Sequence, residues 1–349
     1  MKSRKSRIIK RSALAFVSVV LLLVLFNWEL VSYAGRQAYG QLNIIWNARP
    51  VEEILEDPNF ADSLKTKLRF IEEVRKYAID SLGLKDTRNY KTLYDQQGKE
   101  IMWVVTASEP FRLRPKEWHF PVLGSVPYKG FFSQDRALQL KEQLEKEGWD
   151  VNVRNPGGWS TLGWFTDPIL SKMLERSEGD LASLIIHEMA HATIFVKDSI
   201  DFNENLASFI GDRGAEKFLI SKYGIQSASY RKFKEEDQDY IKYVDHVLRG
   251  TASLDSLYTV MHEDEPLAKK QMLKQSMIRS IVETMDTLSL SSSRKPSIKF
   301  KKGLPNNAYF MSFIHYQSGQ EELWKEWKEK FNGDLKAYIV SLREKHPFL

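Results

Sequence analysis

His187, Glu188 and His191 stand in the run His-Glu-Met-Ala-His, and that spacing constrains the local fold more than any other feature of the chain. Residues four apart on an α-helix lie one above the other on the same face, so two imidazoles at this interval converge when the segment is helical. The flanks favour a helix. Leu181-Ala-Ser-Leu-Ile-Ile precedes the motif, Ala192-Thr-Ile-Phe-Val follows it, and no Gly or Pro occurs from Leu181 to Val196. A mostly apolar, buried helix over 181–196 is therefore expected, which suits a dry metal site. Two histidines at this interval match a Zn2+ site, with Glu188 placed to hold and deprotonate a water at the metal without being a ligand.

Two histidines on a helix also arise with no metal between them, so the downstream sequence matters. Lys197-Asp-Ser-Ile-Asp reads as a loop, and Asn203-Glu-Asn-Leu-Ala-Ser-Phe-Ile opens a second helix with Asp201 or Asn203 as its cap. Glu204 is then expected in the first turn of that helix. It falls thirteen positions after His191, enough for one helix to end, turn and return a carboxylate as third ligand. Two His and one Glu leave the fourth tetrahedral position for water, the pattern of a catalytic site. The longer motif with Gly and a third His is excluded, because those positions hold Ile194 and Lys197.

Net charge first suggests an anionic partner, but its distribution does not. The formal charge is +5 over 349 residues, with 51 basic and 46 acidic side chains. Six of the basic ones (Lys2, Arg4, Lys5, Arg7, Lys10, Arg11) fall in the first eleven positions, so the rest carries 45 against 46. No nucleic-acid partner is expected. The cluster instead precedes an uncharged apolar stretch, Ser12 to Phe26, extended by Trp28, Leu30 and Val31 past Glu29. The expected organisation is a cytoplasmic basic segment at 1–11, a transmembrane anchor or signal at 12–31, and an extracytoplasmic zinc peptidase domain at 32–349. Ser32-Tyr-Ala34 would serve as the cleavage site if the stretch is a signal. The chain is then expected at the bacterial cytoplasmic membrane, single-pass, with the catalytic region periplasmic. There are no cysteines, which removes disulfides, thiolate ligands, a cysteine nucleophile and an acylated N-terminal cysteine.

Along the rest of the chain, Tyr39 to Pro50 reads as a short helix ended by the proline. Leu64, Leu68, Ile71, Val74, Ala78 and Leu82 recur at helical steps up to Gly83. Ile101 to Thr106 is a buried strand candidate, Phe120 to Gly130 is turn-rich, Asp135 to Glu147 is helical up to Gly148, and Trp149 to Arg154 is a strand. The expected fold class is α+β, zincin-like, mostly helical with a small mixed sheet before the zinc helix, plus one N-terminal transmembrane helix. Ser160 to Phe165 is either a cleft wall that pairs with peptide backbone or an ordinary turn and strand. Helices are expected at 241–249, 268–288, from Asn306 and at 324–331. Ser291 to Leu304, rich in Ser and Lys, reads as a solvated loop or as a lid over the cleft.

Several separated motifs, taken together, resemble a family of bacterial predicted aminopeptidases found at or beyond the membrane. They are Gly40-Gln-Leu, Ala48-Arg-Pro, Phe120-Pro-Val with Tyr128-Lys-Gly, and Ser160-Thr-Leu-Gly-Trp-Phe-Thr-Asp-Pro. His187-Glu-Met-Ala-His, Phe202-Asn-Glu and Asn306-Asn-Ala complete the set. The resemblance implies a zinc peptidase with Glu204 as third ligand. Many relatives carry a lipidated cysteine that this chain lacks, so attachment would rest on the apolar stretch. In the broader thermolysin-like group an Asp one turn beyond the ligand Glu orients a zinc histidine. Here that position is Ser208, with Asp198, Asp201 and Asp212 as alternatives. Tyr316, beside His315, is the candidate donor to the oxyanion, or else a packed helix aromatic. The competing reading is a non-catalytic envelope protein with a structural or vestigial zinc site, to which an intact Glu188 would be of no use.

Overall fold

The computed structural model describes residues 11–14, 18, 25–120, 124–156, 166–197, 199–291, 296–301 and 303–346. The chain divides into two compact units, Met1–Asn47 and Ala48–Leu349. In the first, α1 spans Trp28–Asn47 as one helix. The short helix expected from Tyr39 thus begins eleven residues earlier, because nothing from Trp28 onward breaks it apart from helix-tolerant glycines. Most of the apolar stretch at 12–26 lies outside the described residues. Among the described residues, no helix is long and apolar enough to cross a membrane.

The second unit is mostly helical with small sheets, an α+β fold. Helix α2 (Val51–Glu56) leads to α3 (Asp62–Asp80), which buries Leu68, Ile71, Val74 and Ala78 at the expected three- and four-residue steps. Strand β3 (Trp103–Ser108) lies between β6 (Lys129–Phe131) and β7 (Asp150–Arg154), antiparallel to both, with Val105 opposite Val153. Between β6 and β7 runs α4 (Gln134–Lys146), followed by Gly148 at φ +89°, a conformation that glycine adopts without strain.

Among the described residues the strands form three small sheets, one of them mixed, where the sequence suggested one small mixed sheet. Besides the β6-β3-β7 sheet, β4 (Trp118–Phe120) pairs antiparallel with β5 (Gly124–Val126). Strand β2 (Thr92–Tyr94) lies between β1 (Arg49–Pro50) and β8 (Ile169–Leu170), parallel to β8. These strands are two to six residues long, too short for alternation to show. Their partners are set by distant chain.

Helix α5 (Glu178–His191) starts at Ser177, whose hydroxyl accepts from the Asp180 N–H, and α6 (Ile200–Tyr223) follows. Both sit in the larger core with α3, β2, β8, α10 (Gln320–Phe331) and α11 (Leu335–Lys345). A second core joins α7 (Ala228–Thr259), α8 (Leu267–Thr284) and α9 (Asn307–Gln317) through Val247, Leu254, Ile278, Ile281 and Phe310.

The loop expected at Ser291 to Leu304 contains a turn of 3-10 helix at Pro296–Phe300. Ser297 bonds Asp286 there, and Lys299 lies 4.1 Å over the Tyr243 ring. Burial lowers the Lys299 pKa to about 8. These contacts dock the described part of the segment.

Candidate metal centre

Helix α5 ends at His191, five residues short of the expected Val196. Ala192 and Thr193 form a turn in which Thr193 Oγ1 donates to the Met189 carbonyl (2.7 Å) and accepts from the Lys85 N–H (3.0 Å). The β-branched pair Thr193-Ile194 makes that exit easy. The second histidine therefore sits at the end of its helix, facing the returning chain.

The return is clamped by a residue that sequence reasoning assigned differently. Asn203 does not cap α6. Its amide donates to the Val196 carbonyl and its side-chain oxygen accepts from the Val196 N–H, both at 2.8 Å. Asp201 is not a cap either, since it binds His315 Nδ1 at 2.5 Å. The helix starts at Ile200, which puts Glu204 in the second turn and not the first. The adjacency of Asn203 to Glu204 was the only sequence signal for this clamp.

Small residues let the two helices meet. Ala207, Gly211 and Gly214 fall on one side of α6, and a Cβ on Gly211 would come within 2.8 Å of the Ser183 carbonyl oxygen and 3.1 Å of His187 Cβ. Glu204, Ser208 and Gly211 are spaced 0, 4 and 7, so they share the face turned to α5.

Three donor atoms converge there. His187 Nε2 and His191 Nε2 are 3.1 Å apart, and Glu204 Oε2 lies 3.6 and 3.5 Å from them. Tetrahedral zinc with ligands at about 2.0–2.1 Å requires its donors to be roughly 3.3 Å from one another. The three residues form a group able to hold a metal ion, and the edge lengths fit zinc. Burial works against ionising Glu204, but the charge of His191 and hydrogen bonds from both imidazoles hold it well below the usual carboxylate range. Burial likewise opposes protonation of His191, and the charge of Glu204 outweighs it, raising the pKa. The pocket thus favours positive charge at its centre, which a divalent cation supplies.

Glu188 is buried beside this triangle, and its pKa is raised by burial, against the lowering charges of His187 and His191. Ser208 Oγ lies 3.5 Å from His187 Nδ1, at the outer limit of a hydrogen bond. Asp212 instead accepts from Ser183 Oγ at 2.6 Å. Burial lifts the Asp212 pKa to about 6, with Asp237 adding and Ser183, Arg213 and His187 subtracting. Asp198 and all of Ser160 to Phe165, with its neighbours at 157–159, lie outside the described residues, as does the Tyr316 side chain, although its backbone belongs to α9.

The end of the Thr166-Asp167-Pro168 run is well placed. Asp167 is fully buried, its N–H donates to Asn89 Oδ1 (3.1 Å), and its carbonyl accepts from the Tyr90 N–H (2.7 Å). Tyr90 has φ +62° and a buried phenol, pushed well above its usual pKa by burial and by the charges of Glu188 and Asp167. The Asn306-Asn307 pair is a structural joint. Asn306 caps α9, accepting from the Tyr309 N–H, while buried Asn307 binds the Glu109 carbonyl (2.8 Å) and the Tyr258 hydroxyl (2.8 Å).

The His-His-Glu triangle, with His191 buried and His187 and Glu204 partly buried, could hold a metal ion, and the carboxylate of Glu188 is buried nearby. A family model matches residues 32–345, and the chain belongs to the family described as "Putative aminopeptidase". No curated protein and no solved structure matches the chain.

Proposed function

We propose that this protein is a zinc-dependent peptidase, acting as an aminopeptidase on peptides outside the cytoplasm. The observation that carries the reading is the 3.1, 3.5 and 3.6 Å triangle of His187, His191 and Glu204 with Glu188 buried next to it. The reading includes a zincin-like pairing of the motif helix with the helix that returns the carboxylate, supported by the close approach of α5 and α6.

In this reading His187, His191 and Glu204 hold the zinc. A zinc ion held there would supply Lewis acidity toward a carbonyl oxygen and a water. Glu188 accepts the proton from the attacking water and passes it to the leaving amine. Burial makes its carboxylate a stronger base than an exposed one. Ser208 accepts from the Nδ1–H of His187, which keeps Nε2 free to face the metal. Asn203 and Gly211 hold Glu204 at its reach. Tyr316 remains the proposed donor to the tetrahedral oxyanion.

The proposal extends to location. Six cations before the apolar stretch at 12–26 would keep the N-terminus in the cytoplasm and the domain from residue 32 in the periplasm, anchored in the bacterial membrane. Proteolysis of the domain in intact spheroplasts supports this, and protection until lysis overturns it.

The catalytic reading is tested by digesting a defined peptide library with and without chelator. Glu188→Gln should retain zinc and its fold while losing hydrolysis, because an amide cannot take the water's proton. Turnover at the unmodified rate in that variant would refute the general-base role.

A further inference from the structure

Helix α1 turns three large aromatic side chains to solvent on a single face. Trp28, Tyr39 and Trp46 are 63, 71 and 73% exposed. At about 100° per residue, their positions along the helix bring all three to within about 20° of one line. Gly35 falls on the same line, and a Cβ there would meet nothing within 4 Å. The buried residues of the helix, Gln41 and Ile44, lie about 140–160° round from Trp28. Its charged residues, Glu29 and Arg36, lie about 80–100° round. The exposed stripe is thus uncharged along about 27 Å of helix.

The residue types say which surface suits such a stripe. Each of the three rings is flat and apolar with one N–H or O–H at its tip. That chemistry places Trp and Tyr at the boundary between hydrocarbon and water. A seam between two copies of the helix would call for aliphatic knobs instead, and the line through Trp28, Gly35, Tyr39 and Trp46 holds none.

Position in the chain points the same way. The uncharged run Ser12 to Phe26 ends two residues before Trp28, with six cations ahead of it. Where that run enters a membrane, Trp28 stands at the outer surface. Asn27 is a turn between helical residues 25–26 and α1, a point at which the chain can change direction. An upright α1 would carry Trp46 about 27 Å from the surface and leave two of the three rings in water. Laid flat, it brings all three to the boundary.

We propose that α1 is an interfacial helix whose Trp28–Tyr39–Trp46 face rests in the headgroup layer of the outer membrane surface. The proposal rests on the anchored location given above. The stripe would sink about 5–10 Å into the boundary. Ala48, where the second unit begins, is then held at the membrane surface instead of about 30 Å above it.

The full-length chain has no cysteine, so a single introduced one carries the only thiol label. Gly35→Cys lies on the stripe. Ala34→Cys is also exposed, about 100° away and at nearly the same height along the helix. An environment-sensitive fluorophore on each is read in vesicles of phosphatidylethanolamine and phosphatidylglycerol, doped with a lipid that carries a nitroxide near its headgroup. The Gly35 label should be blue-shifted and quenched, and the Ala34 label should stay close to its signal in nitroxide-free vesicles. Adding Trp46→Glu should restore the Gly35 signal. Equal quenching at both positions, or quenching at Gly35 that Trp46→Glu leaves unchanged, in protein that floats with the vesicles, overturns the proposal and leaves the anchored location standing. Energy transfer between Gly35 labels on two copies without lipid quenching assigns the face to a second copy and also overturns it. Protein that does not float, or that is cut after Ala34 on export, refutes the anchored location and the proposal with it.

Discussion

Replacing Gly211 by alanine tests how the metal triangle is held. The new Cβ would lie 2.8 Å from the Ser183 carbonyl oxygen, 3.1 Å from His187 Cβ and 3.2 Å from Ser183 Oγ. The closest partner is backbone in the middle of α5, so it cannot rotate away. Ordinary contact begins near 3.4 Å, which requires α5 and α6 to part by roughly 0.6 Å along that line. Glu204 is two turns away on the same face of α6 and would move with it. Zinc sites tolerate about 0.2 Å in ligand distance, so the displacement falls on the metal. Overpacking costs about 1–3 kcal/mol, while alanine regains about 1 kcal/mol of helix propensity over glycine. Stability of the metal-free protein should therefore fall by about 0–2 kcal/mol. If strain of about 1–3 kcal/mol is confined to the metal-bound form, zinc binds about 5- to 150-fold more weakly. Competition against a chromophoric chelator reads the affinity, and urea unfolding in chelator reads the stability. Gly303→Ala, with nothing within 4 Å of the new Cβ, is the control and should change neither. The three atoms nearest a Cβ on Gly214 are side-chain atoms of Ile186 and Leu82, so Gly214→Ala should spare the affinity more than Gly211→Ala does. Zinc affinity of Gly211→Ala equal to the unmodified protein would refute the reasoning.

Three further outcomes follow from the geometry. Glu204→Ala should lower zinc occupancy sharply in metal analysis, and full occupancy would place the third ligand elsewhere. Asp212 has a folded pKa of about 6 against an ordinary 3.8, so it takes up a proton on folding. Its contribution is present below pH 3.8 and lost as pH rises through about 6, by at most about 3 kcal/mol. Asp212→Asn should flatten that part of the stability profile in urea melts of chelated protein, and an unchanged profile would remove Asp212 as its source. Asn307→Ala leaves the Tyr258 hydroxyl and the carbonyls of Glu109, Pro110 and Arg112 without their amide partner. Unfolding free energy should fall by about 2–4 kcal/mol, and a loss under 1 kcal/mol would show that water replaces the side chain.

The residues of the centre were legible because helical periodicity is local. Two histidines four apart share a face whatever surrounds them, and thirteen residues suffice for one helix to turn back with a carboxylate. The helix over 62–80, the strand at 103–108 and the helix before Gly148 were readable for the same reason: each is set by side-chain steps within one segment. What sequence could not supply was partnership between distant segments. The end of α5 at His191, five residues early, depends on Thr193 meeting Lys85. The start of α6 at Ile200 depends on Asn203 reaching back to Val196 and Asp201 reaching across to His315. Strands of two or three residues, such as β1, β4 and β8, are too short to announce themselves, and β2 finds β8 some 75 residues on. A cavity lined by Ala107, Arg154, Ile200 and Met311 is assembled from β3, β7, α6 and α9 and exists in none of them alone. Sequence determined which groups could meet at one point, since that follows from residue type and spacing. Tertiary structure decided how closely they stand, because close packing of α5 on α6 at Gly211 is a property of two helices and not of either one.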